Sequence, residues 1–166
     1  MQVPKSEDPA ELLDRLVKEA LPDQRGLAAW QSLLRAHASL MRELATDLAM
    51  RSRLPLGDFD VLAQLAGAGG ELRMTELAAK TFGSRSAMTR RVDRLVGEGL
   101  VQRMESASDG RGVVIAISEA GLSRLSAAVP VHVEGVSKLF IDQLDDEELE
   151  VLERALNKVS VSCSFG

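Results

Sequence analysis

Aromatic side chains are scarce in this sequence. They make up 3% of its 166 residues, with one Trp and no Tyr. A core must therefore be built from Leu, Val, Ala and Met. There is one cysteine, Cys163, which excludes a disulfide framework within the chain. No basic neighbour in the sequence lowers its pKa, so an incidental thiol is the plainer reading and a redox sensor the alternative. No apolar run reaches the ~18 residues of a membrane span, and the opening MQVPKSEDPAELL lacks the apolar segment of a signal peptide. A cytoplasmic protein without a membrane partner is expected. The two histidines, His37 and His132, stand at no metal-ligand spacing, so no metal is expected. Nothing resembles a nucleophile elbow, a phosphate-binding glycine loop or a paired-carboxylate site, so neither catalysis nor a cofactor is expected.

What is present suits one domain of ordinary size with helical extensions. Hydrophobic residues form 45% of the chain, enough for a core, and the net charge is −5. That total argues against nucleic acid, but its distribution argues the other way. Residues 1–71 hold 8 Lys/Arg and 11 Asp/Glu, net −3; residues 72–113 hold 8 and 5, net +3; residues 114–166 hold 4 and 9, net −5. The only positive segment is the middle one. Within it, Arg85, Arg90, Arg91 and Arg94 face a single nearby acid, Asp93.

Periodicity predicts a mainly α chain. A first short helix opens at Asp8-Pro9 and ends at Leu21-Pro22, because proline suits a first helical turn and disfavours helix just before itself. A long helix is expected from about Gln24 to Arg51, with Trp30, Leu33, Leu34, His37, Leu40, Met41, Leu44 and Leu48 at helical spacing. A third helix carries Phe59, Val61, Leu62 and Leu65 and stops at the glycines after Ala66. Leu72–Met74 reads as a short strand pairing with a later hairpin. Thr75 is expected to cap a helix over Glu76–Phe82, Gly83 to form a turn, and Ser84 to cap a helix from Arg85 to Gly97. Gly99 suits the left-handed conformation past a helix end. Leu100–Met104 and Val113–Ile117 are the expected strands of a hairpin. Ser118-Glu119 opens another helix, which Pro130 is expected to kink or interrupt. Asp145 begins the last helix, with Leu149, Leu152, Leu156 and Val159 along one stripe. The segment to about Ser6 and the tail from about Ser160 are expected to be disordered.

Two short helices, a turn and a β-hairpin spell a winged helix-turn-helix, a shape that lays one helix in the DNA major groove. On the helix from Arg85, the residues Met88, Val92 and Leu95 share the side that packs inward. Ser86, Arg90, Asp93 and Arg94 share the opposite side, with Ala87 and Thr89 at its flanks. This face is small and basic, as entry into a groove requires. Arg90 has the fork to bridge guanine O6 and N7, Ser86 and Thr89 can bond bases or phosphates, and Ser84 with the helix start suits a phosphate. At the hairpin tip, Arg111 is placed to enter the narrow minor groove, with Asp109 to orient its guanidinium.

The helix RMTELAAK, the block SRSAMTRRVDRLVGEGLVQR, and the DGRG tip with ISEAG after it resemble the MarR family of bacterial winged-helix regulators, over about residues 24–160. The resemblance implies a winged helix-turn-helix with a small antiparallel β-wing, flanked by N- and C-terminal dimerisation helices. Residues 1–52 would hold the N-terminal helices, 53–118 the DNA-binding region and 119–166 the C-terminal helices. It further implies a homodimer on a pseudo-palindromic double-stranded DNA operator, nucleoid-associated when bound, and released by a small aromatic or phenolic effector. DNA contacts would come from Ser84, Arg85, Ser86, Thr89, Arg90, Arg94, Asp109 and Arg111. Two positions depart from the family pattern. Gly110 replaces a frequent second basic residue at the wing tip, and Ser118 stands where Thr is usual. The helix at residues 9–20 is not a universal feature.

Trp30, His37 and Met41 are candidate effector contacts, with a core histidine the competing reading of His37. Leu149, Leu152, Leu156 and Val159 are the candidate dimer stripe. Two alternatives stand beside the ligand-responsive regulator. One is a DNA-binding regulator governed by abundance or a protein partner. The other is a helical interaction module that does not bind DNA.

Overall fold

A computed structural model describes residues 8–21, 23–81, 85–105 and 112–163. The chain divides into two units, Met1–Ser39 and Leu40–Gly166. In the first, α1 (Pro9–Ala20) begins where the Asp8 side chain accepts the Ala10 N–H at 3.0 Å. The long helix α2 (Leu27–Ser52) starts later than its periodicity suggested and runs into the second unit. Left-handed backbone at Gln24 and Gly26 (φ 49° and 77°) makes a turn of the intervening residues.

The second unit contains the winged helix. Its elements are α3 (Leu56–Gly67), β1 (Glu71–Arg73), α4 (Met74–Lys80), α5 (Arg85–Gly97), β2 (Val101–Glu105), β3 (Val113–Ile117), α6 (Glu119–Leu139) and α7 (Asp146–Cys163). The strands form an antiparallel sheet in the order β1-β3-β2. Leu72 lies opposite Ile115, and Arg103 opposite the same residue on the other edge. The expected pairing of the first strand with the hairpin is thus present. Packed beneath it are Leu48, Leu54, Val61, Leu62, Leu65, Leu77, Met88, Val92, Leu95, Ile115 and Leu125, a core with one aromatic member, Phe59.

Three local expectations are corrected. Thr75 is not a cap: α4 begins at Met74, two residues earlier than expected, and Thr75 is exposed within it. The Glu76 carboxylate takes the Arg73 N–H at 3.0 Å instead, so the helix follows the strand without a spacer. Of the kink or interruption expected at Pro130, the interruption is absent: α6 is continuous through it. The carbonyl that loses its donor is that of Ser126, on the exposed face where water can serve it, while Leu125, Ala128 and Gly135 anchor the buried side. The chain from Ser160 is not wholly irregular, since α7 continues to Cys163. Once a helix is nucleated, each further residue adds a hydrogen bond. Its start is a reciprocal capping box: Asp145 accepts the Glu148 N–H at 2.8 Å and Glu148 the Asp145 N–H at 3.0 Å.

Candidate nucleic-acid interface

α5 is held by its C-terminal end and its apolar side. At its C-terminus the Leu100 N–H donates to Leu95 O (2.9 Å) and the Gly99 N–H to Val96 O (3.0 Å), with Gly99 at φ 71°. This is the paired closure that a left-handed glycine permits. It also draws Leu100 out of the strand, so β2 begins one residue late. On the apolar side Met88, Val92 and Leu95 are buried. Thr81, buried at the end of α4, donates its hydroxyl to Leu77 O at 2.8 Å and lies 3.9 Å from Met88 Sδ. That contact joins the two helices of the helix-turn-helix. A Thr four residues after the buried Leu77 was the available signal for it.

The outward side of α5 presents Ser86, Thr89 and Arg90, all exposed, with Ala87 half-buried between them. Among the described residues Arg90 is paired with no carboxylate. The other described charges of α5 are engaged. Asp93 pairs with Arg103 of β2 at 2.7 Å. Arg94 does not end in solvent; its guanidinium donates to Asp58 of α3, and Glu98 lies 3.9 Å away. Arg91 reaches the same carboxylate at 3.4 Å. Asp58 is 2% exposed and lies in the first turn of α3, where an acid also meets the positive helix end. It stands four and seven residues before Leu62 and Leu65 on the buried face, a placement that marks a carboxylate needing partners.

Ser84, Asp109 and Arg111 lie outside the described residues, as do Phe82, Gly83, the rest of the wing tip from Ser106 and the segment to Ser6; the side chains of Arg85 and Cys163 lie outside them too. The strands that carry the tip are in register, with Glu105 opposite Val113. Where the wing leaves the sheet, Ser118 caps α6: its hydroxyl accepts the Gly121 N–H at 3.0 Å and donates to Gly99 O at 2.7 Å. Gly121 lies so near the Leu100 carbonyl that a Cβ would overlap it. The glycine of the ISEAG run thus has a steric reason.

Away from α5, His132 of α6 lies against Phe59, with ring centroids 4.5 Å apart, and its buried Nδ1 has no hydrogen-bond partner among the described residues. Burial lowers its pKa from the usual 6.5, partly offset by Asp60. Burial raises the Asp60 carboxyl above 3.8, offset by a hydrogen bond to Gln64 and by the charges of Arg91 and His132. A cavity of about 220 Å³ is lined by Leu40, Met41, Leu44, Val136 and Phe140. Of the three candidate effector contacts, Met41 lines it, whereas Trp30 and His37 are exposed residues of the first unit. His37 is therefore not a core histidine of this chain. Along the candidate stripe of α7, Leu149, Leu152 and Leu156 are half-buried and Val159 is 56% exposed. Among the described residues no group of three His, Cys, Asp or Glu could hold a metal, and no helix is long and apolar enough to cross a membrane.

Comparison with known proteins agrees with this geometry. Residues 54–112 match the MarR family. An HTH-type transcriptional regulator of Bacillus cereus is 29% identical over 134 residues, 81% of this chain and 88% of that protein. The HTH-type transcriptional regulator PecS of Dickeya dadantii is 28% identical over 127 residues, 75% of this chain and 76% of its own. Among solved structures, AbsC, a MarR family transcriptional regulator from Streptomyces coelicolor, has a TM-score of 0.77 at 26% identity, covering 98% of this chain and 99% of that one. Sco3205, a MarR family transcriptional regulator from the same organism in complex with DNA, has a TM-score of 0.75 at 26% identity, covering 95% and 93%. A winged helix whose second helix turns a small basic face outward, matched in sequence over residues 54–112 and in fold along nearly the whole chain, makes this protein similar to the MarR family of transcriptional regulators.

Proposed function

We propose that the chain is a homodimeric, sequence-specific repressor that binds a pseudo-palindromic operator and is released from it by a small aromatic or phenolic effector. The observation that carries this reading is the division of α5. Met88, Val92 and Leu95 lock one side into the core, leaving Ser86, Thr89 and Arg90 on the other. In the major groove Arg90 reads a guanine, while Ser86 and Thr89 bond bases or phosphates. Ser84 and Arg85 at the helix start meet a phosphate. Arg111 enters the minor groove with Asp109 orienting it. The solved complex of Sco3205 with DNA supports DNA binding by this fold. The apolar stripes of α1 and α7 support assembly with a second copy, which would set two recognition helices ~34 Å apart. The apolar cavity at Met41 supports a ring-sized effector. Such a ligand acts only through different affinities for two arrangements of the dimer, typically ~1–3 kcal/mol.

The test begins with a duplex that the purified protein selects from a random-sequence pool. Arg90→Ala is expected to cost ~1–3 kcal/mol on that duplex and to relax one base position per half-site. Equal loss on a random duplex would reduce Arg90 to a phosphate contact. Arg111→Ala is expected to lower the salt slope by about 1, with Asp109→Ala weaker in the same direction. Aromatic acids titrated into the complex test release.

A further inference from the structure

We propose that Asp58 is a specificity-determining residue of the DNA interface: its buried carboxylate holds Arg91 and Arg94 away from DNA phosphates, so that Arg90 meets the bases without them. The proposal rests on the reading of α5 as the base-contacting helix. A carboxylate only 2% exposed is costly unless its charge is matched. Here it is matched by two guanidinium groups from one helix, Arg91 at 3.4 Å and Arg94 in direct contact. Gly57 completes the seat. A Cβ at that position would fall inside the Arg91 guanidinium, so the glycine leaves the room and the neighbouring aspartate supplies the charge.

The consequence follows from how affinity and specificity divide. Each arginine that reaches a phosphate adds sequence-independent affinity, and it adds it to wrong sites as much as to right ones. Discrimination is the difference between the two affinities. A recognition helix with adjacent cations at 90 and 91 and another at 94 would bind any duplex. Two of those cations are turned onto α3 instead. The Arg94 side chain remains half-exposed (51%), so a lost partner would let its head swing to the phosphates.

The experiment measures binding of the full chain by fluorescence anisotropy over a salt series. The probes are a duplex selected from a random pool and a random duplex of equal length. Asp58→Asn is expected to bind the random duplex more tightly and to lose about tenfold of its selected-to-random ratio. Its salt slope is expected to steepen by ~0.9 for each arginine released. Gly57→Ala, which displaces Arg91 alone, is expected to steepen the slope by ~0.9. Arg94→Ala is expected to leave the wild-type slope unchanged and to remove part of the gain in the Asp58→Asn background. A merely structural role for Asp58 would weaken binding without steepening the slope. If Asp58→Asn does not fold, Gly57→Ala and Arg94→Ala still decide. Unchanged or shallower slopes in the folded Asp58→Asn and Gly57→Ala variants overturn the proposal, as does a slope reduced by ~0.9 in Arg94→Ala. Arg90→Ala separates the two levels. If it lowers the selected-to-random ratio while the other variants behave as wild type, only the role of Asp58 falls. If it leaves the ratio intact, the reading of α5 falls and the proposal with it.

Discussion

Leu95 of α5 and Leu13 of α1 occupy equivalent places on the apolar side of an amphipathic helix, yet Leu95 is fully buried and Leu13 is 63% exposed. The same contrast separates the regions around them. In the winged helix, Val61, Leu62, Leu65, Leu77, Val92, Leu95 and Ile115 have no exposed surface at all. In α1 no residue is buried, and Leu12, Leu13, Leu16 and the flanking Leu21 stay exposed. The hydrophobic effect acts on both sets of side chains at about 25 cal/mol per Å². In one region the chain itself supplies the cover, and in the other we propose that a second copy supplies it. The DNA-reading part is therefore shaped within one chain, whereas the helices proposed to set the spacing of two such parts depend on a second copy.

Mutations that break this contrast should differ in concentration dependence as well as size. The largest effect is expected for Leu95→Ala, a cavity in a closed core, at ~2–5 kcal/mol. Urea denaturation should show this loss equally at low and high protein concentration. Leu152→Asp, on the proposed dimer stripe, should produce monomers or aggregates in light scattering and weaken operator binding with them. A soluble monomer of full DNA affinity would sink the dimer proposal. Gly121→Ala is expected to cost ~1–3 kcal/mol, because the Leu100 carbonyl leaves no room for a methyl group. Leu13→Ala should change the stability of an isolated chain by less than ~1 kcal/mol. It should nevertheless shift the concentration at which dimers form, measured by sedimentation.

The smallest expected effect is a pH dependence. Burial lowers the pKa of His132 below 6.5, so the fold favours the neutral ring. As pH falls through that value, the unfolded chain takes up the proton first. The contribution of His132 is thus complete above about pH 6.5 and is lost progressively below it. Asp60 has the opposite sign: with its folded pKa raised above 3.8, its contribution is present in acid and lost as pH rises through the raised value. Both groups are present in wild type, so the comparison is with His132→Phe. That variant should lose less stability than wild type between about pH 7 and pH 5.5 in thermal melts. Equal losses would show that the buried ring does not titrate in this range.

Much of this was legible in the order of residues. The side of α5 that bears Met88, Val92 and Leu95, the pairing of the first strand with the hairpin, the left-handed Gly99 and the cap at Ser118 all follow from local spacing and residue type. Errors also had local causes. Thr75 is a good cap in isolation, but the next residue, Glu76, offered a competing acceptor that reaches back to the Arg73 N–H. Pro130 breaks a helix only where the freed carbonyl has no other partner and the flanking turns have no anchor. Helical periodicity places Arg94 on the side of Arg90 and says nothing of where a long side chain ends.

The sequence by itself determined which faces are apolar, where helices and strands begin to within a residue or a few, and which segment carries positive charge. These depend on interactions a few residues apart, whose geometry the backbone repeats everywhere. Tertiary structure alone decided that Asp58 meets Arg94 across a separation of 36 residues, that Thr81 ties α4 to Met88, and that Gly121 presses on a carbonyl of the wing. Such contacts form because packing one core brings distant positions within reach, and a buried carboxylate then keeps whichever cations can neutralise it.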